Sequence, residues 1–159
     1  LSLVVAVTSS ALHSTPPEEL DPRAEVLLGQ GHEALSAGLN EAAIDSFEAA
    51  LTIQPGNPQI LVDLATANRR IGMQGKAIHH YRQALVTDPR NVPAIAGEGA
   101  AMAEKGATEK ANRNLAQLKA MCGADCDEVK ELVAIIARGP APKVVSAEAV
   151  IPTQAVTEQ

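Results

Sequence analysis

An all-α fold is predicted, a solenoid of three helix pairs plus a C-terminal capping helix, and three observations predict it. The chain repeats itself at an offset of 34 residues: AAIDSFEAALTIQPGN (42–57) falls on KAIHHYRQALVTDPRN (76–91). Ala43/Ala77, Ile44/Ile78, Ala50/Ala84, Leu51/Leu85, Pro55/Pro89 and Asn57/Asn91 are identical pairs, and the two aromatic rings of the chain, Phe47 and Tyr81, coincide. The apolar residues are mostly Ala, Leu, Ile and Val with no Trp, and Ala is the strongest helix former. The β-branched and aromatic runs bounded by turn residues that mark strands are missing.

The elements follow in chain order. Leu1–Val7 is a short apolar run followed by small and polar residues, with Ser9 and Ala11 suited to the −3 and −1 positions of a signal-peptidase site. Residues 1–11 therefore read as a signal-peptide remnant, too short to span a bilayer, and 12–22, with Pro16-Pro17, as a linker. Residues 23–138 read as one repeat domain, with units over about 24–57, 58–91 and 92–125. Asn57-Pro58 reads as an N-cap followed by proline at the first helical position. Asn40 and Thr108 are expected to cap second helices, and Gly38, Gly72 and Gly106 to end first helices in the left-handed conformation. Pro55 and Pro89 break the chain after second helices. Ala77, Tyr81 and Ala84 form one buried stripe at helical spacing. In the third unit Ala111, Leu115, Leu118 and Gly123 fall on Ala77, Tyr81, Ala84 and Pro89, a degenerate copy.

One repeat cannot bury its own apolar face, so the open end of the stack needs a lid. CDEVKELVAIIARG (126–139) supplies it, with a helix over about 126–137, an apolar stripe of Val129, Leu132, Val133 and Ile136, and a capping box of Asp125 with Glu128. From Gly139 the prolines and the lack of a sustained period read as a disordered tail to residue 159.

The 34-residue period, the small residue midway through each first helix (Gly31, Ala65, Gly99), the Ala–aromatic–Ala second helix and the terminal Pro resemble the tetratricopeptide repeat (TPR) family. The resemblance covers about residues 24–123. It departs from the family in replacing the usual first-helix aromatics by Leu27 and Ala34 in the first unit and by Leu61 and Asn68 in the second. The degenerate third unit, the cysteine pair and the Pro-rich tail also resemble a group of exported bacterial TPR proteins.

The resemblance implies a non-catalytic interaction module that binds a protein or peptide in a concave groove made by the first helices. Its lining would include Leu28, His32 and Leu35, then Gln59, Val62, Asp63, Thr66 and Arg69 or Arg70, then Ala96, Ala100 and Ala103. Such a groove, apolar with an arginine edge, suits an amphipathic helix or an extended peptide. The Lys/Asn/Arg clamp that some members use for C-terminal carboxylates is not matched, since Leu28 and His32 stand where that pattern wants Lys and Asn.

Net charge is −6, against nucleic-acid binding as the main task. Eight carboxylates face Arg23 alone in residues 1–60, whereas nine face eleven bases in 61–138. No cofactor is expected, and no nucleophile–base–carboxylate arrangement has recognisable context. His79-His80 cannot chelate as an i, i+4 pair can, because neighbours on a helix point about 100° apart. Gly29-Gln30-Gly31 lacks the preceding strand and following Lys of a phosphate loop.

Cys122 and Cys126 are the only cysteines, and four readings of them are open. Zinc wants about four ligands, and the histidines are distant in sequence. A redox pair of the thioredoxin type uses CxxC near a βαβ pattern. Two reduced thiols fit a cytoplasmic chain. A disulfide follows from export, because oxidising compartments preserve it. Closing so short a loop would contribute roughly 2 kcal/mol. The expectation is an exported, periplasmic module with a stapled lid and no membrane span in the mature chain. The alternatives are a cytoplasmic TPR adaptor or secretion chaperone, and a thiol redox protein using Cys122 and Cys126.

Overall fold

The computed structural model describes residues 19–140. The signal-peptide segment 1–11, most of the linker and nearly all of the tail lie outside them. Seven helices and no strand occur among the described residues: α1 (Pro22–Ser36), α2 (Asn40–Ile53), α3 (Pro58–Arg70), α4 (Gln74–Thr87), α5 (Val92–Glu104), α6 (Thr108–Cys122) and α7 (Asp127–Arg138). Helices pack as the pairs α1/α2, α3/α4 and α5/α6, consecutive pairs stack through α2/α3 and α4/α5, and α7 packs on α5 and α6.

Local chemistry sets the boundaries. Asn57 accepts from the Gln59 and Ile60 amides, Asn91 from the Ala94 amide and Asp21 from the Arg23 amide, and each of these three helices carries proline in its first turn. The turns inside the pairs are main-chain built. Gly38, Gly72 and Gly106 have φ of 75°, 80° and 88°. The following amides reach back to the first helix, Leu39 to Ala34 O at 2.8 Å, Met73 to Asn68 O at 2.9 Å and Ala107 to Met102 O at 2.8 Å. This is the six-residue closure of a Schellman turn.

The turn explains why Asn40 and Thr108 do not cap. Leu39 and Ala107 end one helix and begin the next, so the N-cap position falls on residues without a capping side chain. Asn40 is left as the first helical residue, with its buried Oδ1 unpartnered. The expected capping box is also absent. The N-cap of α7 is Cys126, with no side-chain cap, because the chain leaves the turn at Gly123 (φ 87°) and enters the helix one residue later than expected.

Phe47 and Tyr81 are fully buried, each at the centre of its own apolar cluster. Both sit over glycine: a Cβ at Gly31 would overlap the Phe47 ring, and one at Gly97 would overlap the Tyr81 ring. With so few large side chains, density comes from close helix approach. A third cluster gathers Ile95, Met102 and Leu118 with Val129, Leu132 and Ile135 of α7. Ile135 takes the buried place expected of Val133, which is 44% exposed. The side chain of Leu132 lies over Gly99. Polar ties cross the stack as well: buried Glu98 accepts from Arg82 at 2.7 Å and from Asn114 at 3.0 Å, joining α4, α5 and α6.

Burial pushes the Tyr81 phenol above its ordinary value of 10.0, partly offset by the Thr66 hydroxyl and Arg69. Folding thus favours the neutral phenol. Its contribution is complete below pH 10.0 and is lost as pH rises through the higher folded value. The denaturation midpoint should fall above that pH, and the fall should be smaller in Tyr81→Phe. As the only tyrosine in a chain without Trp, Tyr81 can be titrated directly by ultraviolet difference absorbance. Two glycine substitutions should have opposite signs in chemical denaturation. Gly97→Ala forces a methyl into the Tyr81 ring and should cost about 1–3 kcal/mol. Gly29→Ala, mid-helix with open space around it, should gain about 0.5–1 kcal/mol.

Candidate functional site: the concave groove

The first helices of the second and third pairs, α3 and α5, form the groove together with α7. Val62, Thr66, Arg69 and Arg70 of α3, Ala96, Gly97 and Ala100 of α5, and Glu128, Glu131, Leu132 and Ile135 of α7 line a cavity of about 270 Å³. A more open cleft of about 680 Å³ continues from Arg69 and Arg70 past Gln74, Glu104 and Glu131 to Arg138 and Pro140. Small side chains make most of the α5 wall, where Ala96, Gly97 and Ala100 stand beside the Pro93 ring.

Polar groups make up much of the remaining lining. Thr66 Oγ1 and the Tyr81 hydroxyl are 3.0 Å apart, and Thr66 also donates to Val62 O at 2.9 Å. Beside them Arg69 Nη1 donates to Glu104 Oε1 at 2.8 Å, and Glu104 also accepts from Gln74 Nε2 at 3.3 Å. Glu131 of α7 approaches Arg69 Nη2 at 3.8 Å, while the buried Nε has no partner. Arg70 is exposed and donates to Leu35 O at 3.2 Å.

Of the residues expected to line the groove, Val62, Thr66, Arg69, Arg70, Ala96 and Ala100 come together at the cavity. His32, Gln59 and Asp63 form a separate network nearer α1, with His32 Nε2 2.9 Å and Gln59 Nε2 3.0 Å from Asp63 Oδ2. Leu28 is buried in the first apolar cluster and Leu35 packs against it, so neither lines the two cavities. Ala103 is buried in the third cluster. The expected arginine edge is half consumed, since Arg69 is committed to carboxylates. Sequence reasoning missed Tyr81, Glu104, Glu128, Glu131, Leu132 and Ile135 as lining residues. Glu104 had a signal, because it falls one repeat after Arg70; the α7 residues had none, because the cap leaves the 34-residue register.

The other marked residues lie elsewhere. His79 is exposed, and His80 is half-buried with Nδ1 3.1 Å from Gln83 Oε1. Burial holds His80 below the ordinary histidine value, with the Gln83 contact opposing. At the α6–α7 junction the sulfurs of Cys122 and Cys126 are at bonding distance, with Cα atoms 5.9 Å apart, inside the range a disulfide bridges. Glu128 joins them as the one group of three potential metal donors among the described residues. No helix among them is long and apolar enough to cross a membrane.

No protein-family model matches the chain. Over 96 residues it is 31% identical to the small glutamine-rich tetratricopeptide repeat-containing protein 2 of Mycosarcoma maydis, covering 60% of this chain and 27% of that protein. The chain thus spans about a quarter of that relative's length. Among solved structures it superposes on the Sgt2 TPR domain from Aspergillus fumigatus with a TM-score of 0.69 at 25% identity, over 85% of this chain and 98% of that one. It also resembles the first TPR domain of Spaghetti (RPAP3), solved with the HSP90 peptide SRMEEVD, with a TM-score of 0.66 at 22% identity over 73% and 92% of the two chains. The described residues therefore have the TPR fold, an all-α solenoid of three helix pairs closed by a seventh helix.

Proposed function

We propose that this chain is a non-catalytic interaction module that takes a peptide segment of a partner protein in its concave groove. The observation that carries the reading is the cavity between α3, α5 and α7, where a wall of small aliphatic residues faces the Thr66–Tyr81 pair and the charged groups of Arg69, Arg70, Glu128 and Glu131. Ligand sites combine apolar surface with polar groups placed to fix orientation, and both are present here. Peptide binding by the RPAP3 domain supports the mode.

The chemistry of the occupant differs. SRMEEVD is acidic, whereas here Arg69 is engaged by Glu104, and Glu128 and Glu131 stand on the cap side of the cavity. An acidic tail would face these carboxylates, and like charges at an interface suppress binding. The fitting ligand is a segment of small aliphatic residues with at most one or two charges.

The location proposed for the module is the bacterial cell envelope, after export, with Cys122 and Cys126 joined as a disulfide that fixes the start of α7. Support comes from the apolar N-terminal run and from the short Cα separation of the pair.

Selection of random displayed peptides on the purified protein should return neutral, aliphatic sequences. Ala96→Glu, at a half-buried position on the cavity wall, should weaken the selected peptides at least about tenfold with little change in the melting curve. Recovery of acidic C-terminal sequences, or full affinity in Ala96→Glu, would count against the reading. Export is tested by the intact mass of protein from its native host, with and without alkylation. A mature start near Leu12 and a two-proton deficit are expected; an uncleaved chain with two alkylatable thiols would place the module in the cytoplasm.

A further inference from the structure

The described chain ends at the groove. Pro140 lines the same open cleft as Arg69, Arg70, Glu131 and Ile135, and its Cβ lies 3.8 Å from the Cβ position of Gly106 at the α5–α6 turn. The backbone therefore leaves α7 at the mouth of the concave face. The sequence that follows is APKVVSAEAVIPTQAVTEQ. Between Pro142 and Pro152 it holds Val, Ala, Ser and Ile, with one cation, Lys143, and one anion, Glu148.

We propose that residues 143–152 of this chain dock in its own concave groove as an extended segment, occupying the site until a partner peptide displaces them. The inference rests on the groove being a peptide site, and three observations support it.

Reach is sufficient. Ten extended residues span about 33 Å. Packed helices lie about 8–10 Å apart, so crossing from α7 over α5 and α3 to α1 needs about 30 Å. Size matches: a wall of Ala96, Gly97 and Ala100 gives room for short aliphatic side chains, and the segment has no aromatic residue or Leu. Charge order matches as well. Past Arg138 at the exit of α7, the cleft offers Glu131, 67% exposed on α7 and 3.8 Å from Arg69, and then Arg70 on α3. The segment presents Lys143 first and Glu148 second. Tethering makes this binding intramolecular, with an effective concentration in the millimolar range for a short linker, so weak contacts suffice to fill the groove.

The test compares the full chain with a form ended after Pro140. The apolar clusters and the hydrophobic residues packed on them run from Leu20 to Ile136, so the shorter form keeps its whole core. The probes are the methyl NMR signals of Val62, Ala96 and Ala100. They should shift on removal of the tail and return toward the full-chain positions when a synthetic peptide of residues 141–159 is added. In the full chain, Glu148→Arg should move them toward the truncated positions. A peptide selected on the truncated form should bind the full chain more than about tenfold more weakly.

Identical methyl signals in the two forms overturn the inference. So does equal affinity of a selected peptide for both, an outcome that leaves the groove reading standing. Signals in the full chain that revert to the truncated positions on dilution assign the tail to a second copy and overturn the intramolecular form. Failure of every selected peptide to bind the truncated form refutes the groove reading itself.

Discussion

Close approach between helices is the constraint on which the rest of this structure depends. A chain with two aromatic rings has little volume with which to fill the space between helix pairs. Its solution is to set each ring against a glycine, Phe47 over Gly31 and Tyr81 over Gly97, and to line the remaining contacts with alanine. Dispersion energy falls steeply with a gap of even half an ångström, so small residues are useful only if the backbones come near enough to touch them. The Schellman turns at Gly38, Gly72 and Gly106 serve that end, because they reverse the chain with one geometry in all three units.

Arg69 links the stack to the site. Its guanidinium lies between α3, α5 and α7, held by Glu104 and approached by Glu131. A partly buried charge that lost its partner would be costly, so this side chain keeps carboxylates near it. The same pairing engages one of the two α3 cations at the groove and leaves Arg70 exposed.

Repetition made most of the fold legible. The 34-residue offset placed both rings in the core, put glycine in the left-handed turns, and located the Asn57 cap. What failed to read through was whatever depends on two elements meeting. Asn40 and Thr108 look like caps in isolation, yet the preceding turn already uses the position before them. Val133 and Ile135 are equally apolar, and only the docking angle of α7 decides that Ile135 is buried. Leu28 and Leu35 have groove register but are drawn into the first cluster. The carboxylates of α7 reach the site through tertiary docking alone.

That docking makes α7 part of the site as well as a lid. Val129, Leu132 and Ile135 are buried on one side, worth roughly 1.5–3 kcal/mol each when fully removed from water. Leu132 and Ile135 also contribute to the cavity wall beside Glu128 and Glu131. The third repeat has Leu115 where the others have a ring, and Leu132 of the cap, with Asn114, fills the space over Gly99. The cap thus contributes large side chains to the repeat that lacks a ring. Only residues 123–126 separate α6 from α7, so the entry angle of the cap is decided within one turn of chain. Any constraint on Cys122 and Cys126 therefore acts on the shape of the groove, because the helix that starts there forms one of its walls.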